Sequence, residues 1–146
     1  MARSNFSARR VINGTYGTVW LDDERVAECH TCQAKVQFNT ETINLDGEFM
    51  EHYKPISGKG SGSLTLYKVD SGMIAKMKGA QEGIVPEFTI VTKLADPESA
   101  GSERAALYGV MFTDLTLADW QRAAAGKVTA PFTFTKYEML DSIDVL

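Results

Sequence analysis

The clearest alternation in the chain sets Cys32, Ala34, Val36 and Phe38 against Gln33, Lys35, Gln37 and Asn39. One apolar and one polar face at period two predict a half-buried β-strand within residues 26–45. Ser63 to Val69 alternates in the same way and predicts a partner strand, with Ser63, Thr65 and Tyr67 on one face and Leu64 and Leu66 on the other. Tyr16 to Leu21 is a short aromatic and β-branched strand, closed by the acidic turn Asp22-Asp23-Glu24 and followed by a hairpin. Further on, Phe88 to Leu94 and Arg104 to Thr113 predict a second hairpin, and Thr129 to Tyr137 a last strand whose Pro131 marks a start or an edge. Met73, Ile74, Met77 and Ala80 recur at helical spacing behind a cap at Asp70 or Ser71, which predicts two to three turns lying on a sheet. Residues 115–127 read equally as helix, loop or broken strand.

Between the first two long strands, Asp46-Gly47 has turn chemistry, yet the next clear alternation begins only near Ser63. The expectation is a long loop over residues 46–62. Phe49, Met50, Tyr53 and Ile56 make it unusually apolar, and Gly58, Gly60 and Gly62 give it backbone freedom where it meets the strand. That suits an arm packed on another subunit, a lid on its own domain being the competing reading. A phosphate-binding loop would follow a strand and open a helix, whereas these glycines precede a strand. The N-terminal residues 1–13 read as a flexible arm and the acidic residues 141–146 as a tail that reaches outward.

Composition narrows the picture. The 146 residues are 44% hydrophobic and 23% charged, which suits one globular domain over residues 1–146. No apolar run approaches bilayer length, and the arginine-bearing N-terminus lacks the apolar stretch of a signal peptide, so neither membrane nor export is indicated. A net charge of −4 argues against a protein built to grip nucleic acid. Cys29 and Cys32 form one C-x-x-C, but no helix start follows, and His30 and the distant His52 are the only imidazoles. On a regular strand the two thiols have opposite parity and point to opposite faces. Glu48, Glu51 and His52 form the densest titratable group, more naturally a solvated loop face than a general base. The chain carries no nucleophile elbow, nucleotide fingerprint or repeated metal-ligand pattern, so no catalytic residue, cofactor or metal is assigned.

Gly17-Thr18-Val19-Trp20-Leu21-Asp22, the stretch Gly60 to Val69, Glu103-Arg104 leading into Leu107 to Phe112, and Val128 to Phe134 occur in an order that resembles the PBSX-type, XkdM-like family of tail tube proteins of contractile phage tails and tail-like particles. The resemblance implies a mainly β fold, a barrel or sandwich with one flanking helix. It implies six-membered rings stacked into the inner tube, with two hairpins per subunit joined side by side to line a channel for DNA, or for ions in a tail-like bacteriocin. Its implied partners are further copies of the chain and the sheath, tail terminator, baseplate and tape-measure proteins, in a virion tail assembled in the bacterial cytoplasm. On that reading Gln33, Lys35, Gln37, Asn39, Ser63 and Thr65 are the candidate channel face. Their side chains stay wet without gripping phosphate, Lys35 being the exception, and acidic residues from six copies would repel DNA from the wall. Phe49, Met50, Tyr53, Ile56, Gly58, Gly60 and Gly62 form the candidate stacking arm. The ring-forming tube of a related contractile secretion machine and a small-barrel ligand-binding protein are the rival readings.

Overall fold

The structure, a computed structural model, describes residues 6–145. Its strands are β1 (Gly17–Leu21), β2 (Glu24–Arg25), β3 (Cys29–Ile43), β4 (His52–Tyr67), β5 (Phe88–Leu94), β6 (Glu103–Phe112), β7 (Lys127–Phe134) and β8 (Lys136–Asp141). All neighbours are antiparallel, in the order β2-β1-β5-β6-β7-β4-β3, with β8 also on β6. The fold is therefore mainly β, as the alternation predicts.

β6 joins two layers. Its first half pairs with β8 and its end with β7, and the switch falls at Gly109, whose φ of +63° favours glycine and where a Cβ would collide with the Thr135 hydroxyl. Thr135 breaks the chain between β7 and β8 there, its N–H donating to the Tyr108 carbonyl at 3.0 Å. The last predicted strand is thus two strands, and their divergence folds one layer over the other. Between them lie Val19, Leu21, Leu64, Leu66, Ile90, Leu107, Val110, Phe112, Ala130 and Phe132, all buried. Pro131 falls where β6 has left β7. Its carbonyl accepts from Thr113 N–H, and its missing N–H is on that same, otherwise unpaired side.

Several boundaries differ from expectation. Asp22 and Asp23 both have positive φ, the geometry of a tight primed turn, so the β1–β2 hairpin forms where the acidic run predicts it. The helix is a single turn, α1 (Gly72–Lys76), followed by a 3-10 turn at Ala80–Glu82, because Gly79 and the left-handed Gly83 interrupt it. Asp70 accepts from Gly72 N–H at 2.9 Å, and Met77 is buried in the core as predicted. Residues 115–126 are irregular: Ala123 takes φ +61°, which no helix accommodates. Residues 141–145 of the tail do not reach outward, since Asp141 pairs opposite Arg104 and Asp144 N–H bonds to the Ala100 carbonyl; Leu146 lies outside the described residues. The arm expected over residues 1–13 lies partly outside the described residues. Its remainder is fastened by Asn13 N–H to the buried Asp96 carboxylate at 2.8 Å and by an Arg9–Glu98 ion pair at 3.0 Å.

Candidate assembly surface

The 46–62 loop is largely a strand. β4 begins at His52 and pairs continuously with β3, leaving residues 44–51 as the hairpin tip. Gly47 supplies the left-handed position of the turn, and Glu48 N–H bonds to the Leu45 carbonyl. The glycines serve close packing, not looseness. Phe134 and Phe132 lie directly opposite Gly60 and Gly62 on the next strand, and a Cβ at either glycine would stand 2.6–2.7 Å from the facing ring. An aromatic side chain laid over a cross-strand glycine buries the ring against bare backbone. Gly58 has no such lid: a Cβ there would make only ordinary contact, 3.7 Å from Val36.

β7 ends opposite Gly60, so residues 37–43 and 52–59 pair only with each other and extend as a two-stranded ribbon of roughly 24 Å at the usual rise per residue. Such a ribbon alone is marginal in water. This one also exposes Phe38, Tyr53 and Ile56 along its length and Phe49 and Met50 at its tip, Phe49 being 98% accessible. Ile56 is the unopposed residue of a bulge between the Asn39–Ser57 and Thr40–Pro55 pairs. Phe38 and Tyr53 continue the core face outward, past an open cleft of about 820 Å³ where β3 diverges from β5, β6 and β8. At the other end of β4, the irregular 113–126 loop exposes Leu117 and Trp120, with the Arg122 guanidinium 5.7 Å from the Trp120 ring centre.

The opposite face of β3 and β4 is polar. Register places Gln33 across from Ser63, Lys35 from Ser61, Gln37 from Lys59, Asn39 from Ser57 and Thr31 from Thr65. The six residues predicted as a channel face therefore share one surface, tied at one point by Asn39 Nδ2 donating to Ser57 Oγ at 3.0 Å. Sequence reasoning missed Lys59 because it fell within the expected loop; the alternation Lys59, Ser61, Ser63, Thr65 was the available signal.

The cysteine expectation fails for a local reason. A bulge at His30 leaves Cys29 opposite Leu66 and Cys32 opposite Leu64, so both thiols face the core. Burial first, then the nearby Cys32 and Glu28, pushes the Cys29 thiol up to about 11, and burial also raises Cys32. Displaced by the bulge, His30 has its Nδ1 3.2 Å from the Tyr67 hydroxyl. His52 contacts Glu48 near the tip, with both side chains about half exposed, so the densest titratable group is a solvated turn contact. Among the described residues, no group of His, Cys, Asp and Glu could hold a metal ion, and no helix is long and apolar enough to cross a membrane.

A family model for phage tail tube protein matches residues 4–141. The chain belongs to the phage tail tube protein family. It is 32% identical over 139 residues to the phage-like element PBSX protein XkdM of Bacillus subtilis strain 168, covering 93% of this chain and 95% of that one. Among solved structures, this tail tube protein is similar to the tube-terminating cap of the anti-feeding prophage, with a TM-score of 0.74 at 15% identity, covering 97% of this chain and 100% of that one. A chain of the PVC sheath-tube complex, from an extracellular contractile injection system, gives 0.73 at 12% identity over 97% and 99% of the two chains. At those identities the likeness is one of fold. The tail tube protein is thus a structural component of phage-tail-like particles, and its family is not an enzymatic one.

Proposed function

We propose that this protein assembles as hexameric rings stacked into the inner tube of a contractile tail, with the polar face of β3, β4 and β7 turned to a channel through which DNA passes. One observation carries the reading: the β3–β4 ribbon leaves the fold with an unpaired 15-residue edge strand and exposed aromatic side chains, a surface incomplete in a single subunit. A long open edge invites pairing with another chain, and closure around a ring removes it. Stacking is heterologous and needs different surfaces at the two ends of the subunit. The tip with Phe49 and Met50 supplies one, and the 113–126 loop with Leu117 and Trp120, beyond the far end of β4, supplies the other. Tyr53 and Ile56 strengthen the tip's ribbon side, while Gly58, Gly60 and Gly62 join it to the core. Sheath, terminator, baseplate and tape-measure proteins are the further partners, met during assembly in the host cytoplasm.

Electron microscopy of the purified protein tests this directly. Rings or hollow tubes are expected from the natural chain, and folded subunits or unstacked rings but no tubes from F49D/M50D, because the exposed tip makes no core contact. Uniform small particles from the natural chain would overturn the tube reading. Tubes from the double variant would remove the tip from stacking.

A further inference from the structure

The charge of the polar face departs from that of the rest of the chain. The segments that build it, residues 31–39, 57–67, 111–112 and 127–134, contain Lys35, Lys59 and Lys127 but no aspartate or glutamate, in a chain with 19 acidic residues against 15 lysines and arginines. Register puts all three lysines on the outward side. Lys35 faces Ser61 and Lys59 faces Gln37, which makes them diagonal neighbours; Lys127 faces Tyr67, with its Nζ 5.5 Å from that ring centre. Diagonal positions on a sheet are about 7–8 Å apart. Among the described residues neither Lys35 nor Lys59 enters an ion pair. The nearest acid along the ribbon, Glu41, stands opposite its own lysine, Lys54.

A protein of net charge −4 therefore presents a locally cationic sheet face. The neutral side chains around the lysines are Gln33, Gln37, Asn39, Ser61, Ser63 and Thr65. Lysine together with serine, threonine, asparagine and glutamine is the set that contacts nucleic-acid phosphates without reading sequence. An acidic protein segment would instead be expected to seek apolar anchors, and this face offers few, chiefly the exposed Tyr67 and Met111 and the Pro131 ring.

We propose that the polar face is a weak, sequence-independent track for the phosphate backbone of DNA, so that the channel wall attracts its cargo and does not repel it. The proposal rests on the tube reading and reverses the expectation that acidic copies keep DNA off the wall. Three lysines per subunit give a shallow interaction. With the logarithm of affinity falling by about 0.9 per neutralised phosphate for each decade of salt, a fourfold rise in salt weakens a three-phosphate contact roughly 40-fold and a one-phosphate contact roughly threefold.

Tubes verified by microscopy are sedimented with a labelled duplex DNA at about 50 and about 200 mM salt, the range over which such contacts weaken. The expected result is DNA in the low-salt pellet, release at high salt, and loss of both retention and the steep salt dependence in K35Q/K59Q tubes. K78Q, an exposed lysine outside this face, should behave as the natural protein does. Tubes that retain no DNA, equal retention by K35Q/K59Q, or preference for polyglutamate over DNA would overturn the track while leaving the tube reading intact. Failure to form tubes removes the channel reading. Fluorescence anisotropy of the same DNA with the soluble chain and K35Q/K59Q then decides the phosphate face alone, and no difference between them overturns it.

Discussion

β3 and β4 each run through two environments. Near their base they belong to a packed layer: Leu64 and Leu66 are buried, and Phe132 and Phe134 lie over Gly62 and Gly60. Beyond Gly58 the same two strands continue the same ladder with nothing over them, and Phe38 stands 69% accessible on the face that is core a few residues earlier. The comparison separates two kinds of apolar residue that alternation alone treats alike. Near-half side chains hold the subunit together, whereas distal-half side chains cover nothing within it.

The largest contrast is expected between Phe132→Ala and Phe38→Ala. Phe132 sits edge-on to Phe112, with ring centres 6.1 Å apart, and its removal uncovers a glycine that has no side chain to fill the space. A loss of about 3–5 kcal/mol is expected in chemical denaturation. Phe38→Ala should change subunit stability by no more than about 0.5 kcal/mol, the usual range for an exposed site, and should act on assembly instead. Equal losses from the two would mean that the ribbon is folded against its own subunit.

A smaller contrast lies within the glycine series itself. A Cβ at Gly62 would stand 2.7 Å from the Phe132 ring and closer still to the Gln33 carbonyl, which is backbone and cannot swing away. Gly62→Ala should therefore cost about 1–3 kcal/mol, as overpacked core sites do. Gly58→Ala meets only ordinary contact with Val36 and should be neutral or stabilising by up to about 1 kcal/mol, because alanine restricts the unfolded chain. Thermal or denaturant melts of the two variants separate the packing role from the flexibility first suggested by the repeated glycines.

That series also shows where the fold was legible. β5 falls at Phe88–Leu94 as its alternation predicts, and the predicted polar face is one surface because period-two parity survives along the outer side of β3 and β4. The strand over residues 52–62 was hidden, since Gly58, Gly60, Gly62 and Pro55 have poor strand propensity and the rings that cover Gly60 and Gly62 lie some seventy residues away in the chain. The spacing of Phe132 and Phe134 matches that of the two glycines they cover, a signal legible only once the strands are known to pair. The Asp119–Ala125 run, open in the sequence between helix, loop and broken strand, is a loop. Its helical propensity yields to a loop that must return the chain from β6 to β7, and Ala123 turns left-handed within it. His30 was illegible for a third reason: a bulge changes parity without changing composition.

The bulge gives the smallest and most specific prediction. It brings Cys29 to the base of the near half, where burial, Cys32 and Glu28 raise its thiol from the ordinary 9.0 to about 11. A raised folded-state value means that the unfolded chain ionises first, so this contribution is fully present below about pH 9 and is lost as pH climbs through about 11. Stability measured across that window should fall less steeply in Cys29→Ala than in the natural protein. Tyrosine and lysine titrations remain in both chains, and the difference isolates the thiol. The partial exposure of Cys29 keeps the effect modest. At pH 8 a disulfide reagent should modify both thiols slowly in the folded subunit and rapidly after denaturation, because the attacking species is the thiolate and burial disfavours it at Cys29 and Cys32 alike. Rapid labelling of Cys29 in the folded chain would place it on the solvent face, as an unbulged strand would, and would extend the loosely held ribbon down to the root of the hairpin.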